Sequence, residues 1–166
     1  MNIKKQIQER GKWTGTYTAI IRDAKTHEVK RVKHFHNVVL LQFREYICKL
    51  MVGEETEASK ISITHEQLGY DDTPADESQT GLIDPEPKTK KIPAQLDCEG
   101  DTIRFLSFWD EGQAVGEWRE FALIADNDFA VVRANVELDV SGGETLTIDG
   151  EIIQQSGGGN LLTNTE

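Results

Sequence analysis

The sequence predicts a mostly-β fold, an antiparallel β-sandwich or jelly-roll-like domain with an N-terminal β-hairpin and one covering α-helix at about residues 38–52. Three observations carry that prediction. Side chains alternate between strand-forming faces with period two from Trp13 to His36. Apolar residues recur at helical spacing only between Val39 and Met51. Beyond the last proline-rich loop, short runs of strand formers follow one another, separated by turn residues.

Each element has its own local cause. Trp13, Gly15, Tyr17, Ala19 and Ile21 share one face of the first strand, with Thr14, Thr16 and Thr18 on the other. Asp23, Ala24, Lys25, Thr26 and His27 turn the chain, and residues 28–36 return it as the second arm of a hairpin. Asn37 is the expected helix N-cap, because its side-chain oxygen can accept from free first-turn N–H groups. Val39, Phe43, Tyr46, Ile47, Leu50 and Met51 supply the apolar stripe, and Gly53 is the expected stop. A short strand is expected through Ile61 and Ile63. Residues 66–88 read as a long acidic loop, with Pro74, Pro85 and Pro87 opposing regular pairing. Five strands then follow at 90–97, 102–109, 117–125, 129–138 and 145–154. Residues 1–11 read as a flexible basic arm, 12–155 as a single β-rich domain, and 156–166 as a flexible glycine-rich tail.

Charge narrows the function classes. The 166 residues carry a formal net charge of −11, which argues against a nucleic-acid binder with its basic footprint. The distribution is uneven, however: residues 1–50 hold eleven Lys/Arg against four Asp/Glu. The basic N-terminal hairpin is therefore the candidate docking element, with Lys12, Arg22, Lys30, Arg31 and Lys33 as candidate interface residues. A separable docking arm would leave the core from Asn37 onward able to fold alone. If instead Trp13, Tyr17 and Ile21 belong to a central sheet, removing the arm exposes core. Cys48 and Cys98 lack the spacing of a zinc site and are expected to be free, partly buried thiols. No apolar stretch approaches the roughly 20 residues of a membrane helix, and no apolar segment follows the charged N-terminus as in a secretory leader. The expectation is a soluble protein made in the cytoplasm.

Catalytic and metal chemistry find little support in the residue pattern. His34 and His36 could begin a metal site but read as solvent-facing histidines beside lysines. Asp71, Asp72, Asp76 and Glu77 lack the ligand spacing and fixed glycine of an EF-hand, and read as a solvated loop. In Glu117-Trp118-Arg119-Glu120, adjacent strand positions point to opposite faces, so an ionic rim around a buried tryptophan is expected. Phe105, Phe108, Trp109, Trp118 and Phe121 are assigned to the core, the alternative being a carbohydrate platform. No nucleophile elbow and no phosphate-binding glycine loop is present. The expectation is a non-enzymatic protein with no catalytic residues, cofactor or metal.

The order of the pieces carries one further reading. Trp13-Thr14-Gly15 opens a hairpin that turns through Lys25-Thr26-His27-Glu28-Val29. His36-Asn37-Val38-Val39 precedes the helix, and a loop ends at Thr80-Gly81-Leu82. Thr102-Ile103-Arg104-Phe105, the segment from Gly116 to Leu123, Val132-Arg133-Ala134 and Thr145-Leu146-Thr147-Ile148 complete the set. This order, over roughly residues 13–155, resembles a family of small tailed-bacteriophage virion structural proteins, the tail, fibre-associated or head-decoration β-sandwich proteins. The chain departs from that pattern at residues 63–66, at Ala122 and at Gly150, where an aromatic is usual. The resemblance implies localisation in a virion and no active site. Its implied partners are copies of the same chain, as a trimer or hexamer, and other virion proteins. Neither membrane nor nucleic acid is implied as a partner. The rival expectation is a carbohydrate- or receptor-binding β-sandwich module using the acidic loop and exposed aromatics. A hydrolase with a carboxylate pair is the third.

Overall fold

The structure, a computed structural model, describes residues 12–126 and 129–155. Eight strands are present in the described residues: β1 (Lys12–Asp23), β2 (Val29–Val39), β3 (Ile63–Gly69), β4 (Gln95–Glu99), β5 (Thr102–Trp109), β6 (Gly116–Ala125), β7 (Ala130–Val140) and β8 (Glu144–Gln155), with one α-helix, α1 (Leu41–Met51). They form one antiparallel sheet in the order β3-β6-β7-β2-β1-β8-β5-β4.

The sheet curls into two leaves because β2 serves both. Its residues up to His36 pair with β1, whereas Asn37, Val38 and Val39 pair with Ala134, Arg133 and Val132 of β7. A strand that changes partner partway along is how a sandwich makes its corner. The first leaf is β2-β1-β8-β5-β4 and the second is β2-β7-β6-β3. Phe105 of β5 stacks on Phe121 of β6, with centroids 6.1 Å apart, although these strands lie near opposite ends of the order. That contact exists only because the leaves face each other.

Alternation then decides what lies between them. Tyr17, Ala19 and Ile21 of β1 meet Phe105 and Trp109 of β5, Leu146, Ile148 and Ile152 of β8, and Phe121 and Leu123 of β6, all buried. Tyr17 stacks on Phe35 at 4.9 Å and tilts against Phe105 at 5.2 Å. Gly150 has a packing cause: a Cβ there would come within 2.3 Å of the Tyr17 ring and 2.6 Å of the Phe105 ring. An aromatic residue at this position is sterically excluded.

Several boundaries differ from the sequence expectation. The helix starts at Leu41, not residue 38, and ends at Met51. Asn37 lies in β2 and caps nothing. Its β-branched neighbours Val38 and Val39 stay extended because β7 offers them a partner strand. The helix entrance is held by backbone instead, Leu40 N donating to Val131 O and Leu41 N to Glu77 O. Gly53 does terminate the turn, with φ of 78°. Ile61 belongs to a 3-10 turn, and β3 begins at Ile63 and continues to Gly69, inside the segment expected to be loop. The strand expected at 90–97 is reduced to Gln95–Glu99, since Pro93 has no N–H to give a ladder. Both cysteines are free, but both are exposed. Cys98 sits on the outermost strand, where no second leaf covers it. The arm at 1–11, the tail at 156–166 and the turn positions Asn127 and Asp128 lie outside the described residues.

Candidate functional site

The helix adds to the core between the leaves, and a loop covers part of the outer face of the second leaf. Phe43 of α1 is buried and meets Trp13 edge-on at 5.9 Å, while Gln42 Nε2 donates to Thr80 O at 2.9 Å and to Ala130 O at 2.8 Å. Beside the helix, the acidic segment after β3 is fastened down by three polar side chains of β6 and β7. Glu120 accepts from Ile83 N at 2.9 Å and Asp84 N at 2.7 Å. Arg133 Nε donates to Glu120 Oε2 at 3.0 Å, and Arg133 Nη1 donates to Thr73 O at 2.8 Å and Gln79 Oε1 at 3.2 Å. Asn135 Oδ1 accepts from Ala75 N at 2.6 Å, and its Nδ2 donates to Thr73 O at 2.9 Å. Glu120 and Arg133 are both 0 % exposed.

Glu120 is thus no rim carboxylate, contrary to the expectation. A register shift between Trp118 and Glu120 puts Trp118 in the core and turns Glu120 under the loop, where Arg133 neutralises it. Asp71 lies 3.9 Å from Arg133 Nη2 and is held below the usual carboxylate range, first by hydrogen bonds from Thr73 and then by the nearby guanidinium. Arg133→Met should destabilise the fold by roughly 3–5 kcal/mol, because it strands a buried carboxylate. Replacing Glu120 and Arg133 together with apolar residues should recover part of the loss. Urea unfolding of the two variants measures both, and an Arg133→Met protein of native stability would show that the pair is not a fastening.

A second polar group is sealed between the leaves. Glu66 of β3 is 0 % exposed, and neither of its carboxylate oxygens has a hydrogen-bond partner among the described residues. Ser107 of β5 is equally buried, with its hydroxyl also unpartnered. Burial pushes the Glu66 carboxyl up to about 8; Ser107 and Lys91 are close enough to oppose that rise, though neither makes a normally shaped hydrogen bond to it. The seam is closed by residues 85–91, where Glu66 and Lys91 exchange backbone hydrogen bonds at 2.8 and 3.0 Å. Trp109 Nε1 donates to Thr89 O at 2.9 Å, and Lys91 Nζ donates to Phe108 O.

Among the described residues, nothing covers the outer face of the first leaf. Registers align two rows across it: His34-Thr18-Asp149-Leu106-Gln95 and His36-Thr16-Glu151-Arg104-Asp97. A groove of about 380 Å³ runs along its acidic half, lined by Gln95, Asp97, Arg104, Leu106, Asp149 and Glu151. Val32 and Phe108 are 48 % and 40 % exposed, so of the five aromatics assigned to the core only Phe108 faces outward. His34 Nδ1 lies 3.1 Å from Thr18 Oγ1. Among the described residues, no three His, Cys, Asp or Glu are grouped to hold a metal ion, and no helix is long and apolar enough to cross a membrane.

Two of the five candidate interface residues are engaged within the fold. Arg22 Nη1 donates to Thr147 Oγ1 at 3.4 Å, and Arg31 is bound to Glu144 at 2.9 Å and to Asp139 O at 2.7 Å. Lys30 and Lys33 are exposed, and the Lys12 side chain lies outside the described residues. The residue pattern assigns no site role to Glu66, Ser107, Arg133, Asn135, Asp149 or Glu151. Arg133 is the one legible signal, a charge in the apolar first half of Ala130–Val140. In comparisons with known proteins, no family model, no curated protein and no solved structure matches the chain.

Proposed function

We propose that this chain is a non-enzymatic structural module that assembles with copies of itself and with neighbouring proteins, as a virion component of a tailed bacteriophage. The observation that carries the assembly reading is the asymmetry between the leaves. The fastened loop covers the second leaf's outer face around Glu120 and Arg133, whereas among the described residues nothing covers the five strands of the first, with exposed Val32 and Phe108 and β4 at the edge. Open edges and uncovered faces are what strand-rich proteins use to pack against neighbours. The phage assignment rests on the ordered motifs of the sequence.

Sedimentation velocity of the full chain at rising concentration should show a discrete oligomer. A strictly monomeric profile at high concentration would overturn the assembly reading. Detection of the chain by mass spectrometry in purified phage particles tests the virion assignment, and its absence from particles of the phage that encodes it would remove that part.

A further inference from the structure

The acidic half of the first leaf's outer face has more negative charge than it neutralises. Asp97 and Glu99 of β4 share one cation, Arg104, at 3.2 and 2.9 Å. Asp149 and Glu151 of β8 are exposed and form no ion pair among the described residues. Four carboxylates therefore face solvent around one guanidinium, beside a groove of about 380 Å³ and next to the sheet's open edge, where all five residues of β4 are exposed. A basic segment is what such a surface complements.

The chain itself supplies one. Residues 1–11 contain Lys4, Lys5 and Arg10 against a single Glu9, and they lead directly into Lys12 at the start of β1. Lys12 pairs with Gln155, while the groove rows lie at Thr16 and Thr18, four and six residues further along β1. At about 3.3 Å per residue, the groove is roughly 13–20 Å from Lys12 along the strand direction. The strand axis, extended backwards from Lys12, points away from the groove of the same molecule and out past the end of the sheet. Eleven residues span at most roughly 36–40 Å, enough to cross to a neighbour and lie over its groove.

Resting on the assembly reading above, we propose that residues 1–11 of one copy dock on the acidic β8-β5-β4 face of a second copy, with Lys4, Lys5 and Arg10 opposite Asp149, Glu151 and Asp97. The contact is between partly exposed charges, so it weakens as salt rises above about 0.1 M, where screening acts over about 10 Å.

The test uses the full chain with charges reversed on either side, Lys4→Glu/Lys5→Glu/Arg10→Glu and Asp149→Lys/Glu151→Lys. All these positions lie in the N-terminal segment or on exposed strand sites, and circular dichroism checks that each variant keeps the native fold. Sedimentation equilibrium should show association weakened at least tenfold in either variant alone. A mixture of the two should associate, because each reversed segment then meets a reversed face. A triple variant that associates as tightly as the native chain overturns the docking while leaving the assembly reading in place. Two weakened variants that fail to associate when mixed also overturn it. A native chain that is monomeric removes both.

Discussion

A chain beginning at Asn37 is expected to be insoluble or to give a molten circular-dichroism spectrum without a cooperative melt. The deletion removes β1, which has β2 on one side and β8 on the other along twelve registered pairs, and it removes most of β2 as well. Tyr17, Ala19, Ile21 and Phe35 leave the core with them, exposing Phe105, Ile148 and Phe121. Burying one large apolar side chain stabilises by roughly 1.5–3 kcal/mol, and a domain's net stability is only about 5–15 kcal/mol. Loss of several such residues therefore exceeds the whole margin. The hairpin is a structural centre, not a separable arm. A soluble 37–166 protein with a sharp thermal transition would contradict this placement of β1.

Glu66→Gln is expected to stabilise the fold at alkaline pH and to flatten its pH dependence. The folded-state carboxyl titrates near 8 against an ordinary value of 4.5, so the native state holds its proton more tightly than the unfolded chain. The stability that this proton contributes is fully present below about pH 4.5 and is lost as pH rises to 8. Each unit inside that window costs about 1.4 kcal/mol, or roughly 4 kcal/mol across most of it. Glutamine keeps the shape and carries no proton to lose. Urea unfolding at pH 5, 6.5 and 8.5 should show the difference between the variant and the native protein growing in favour of glutamine by several kcal/mol. A difference that stays constant across those three pH values would mean that Glu66 is solvated.

The strands were legible because their cause is local. Thr102–Trp109 appears with the expected bounds, and β6, β7 and β8 are each within two residues at either end, since alternation and turn residues lie within the same short stretch. The helix start was misread because the competing cause is distant: Asn37 is a good cap in isolation, but β7 claims Asn37, Val38 and Val39 as a strand. The same distance hid the polar interior. Glu120 and Arg133, thirteen residues apart, meet only because of the register shift in the β6-β7 pairing, and Glu66 and Ser107, more than forty apart, only because the sheet curls. The outer face of the first leaf was half visible, as alternating threonines in β1. Its acidic side draws on β4, β5 and β8, which no single stretch of sequence displays together.

The long pairing between β1 and β8 has a kinetic consequence. These are the first and last strands among the described residues, and every pair in their ladder joins residues more than 120 positions apart. β1 can find β2 as soon as the hairpin is made, but its other edge has no partner until residues 144–155 have left the ribosome. Until then the nascent chain carries a strand that shows water the side chains of Tyr17 and Ile21, along with a row of unmet backbone donors. Topologies dominated by such remote contacts fold slowly, on timescales of roughly milliseconds to seconds. The interval between synthesis of β1 and arrival of β8 is therefore when the chain is most open to mispairing, and it is when a chaperone has most to protect.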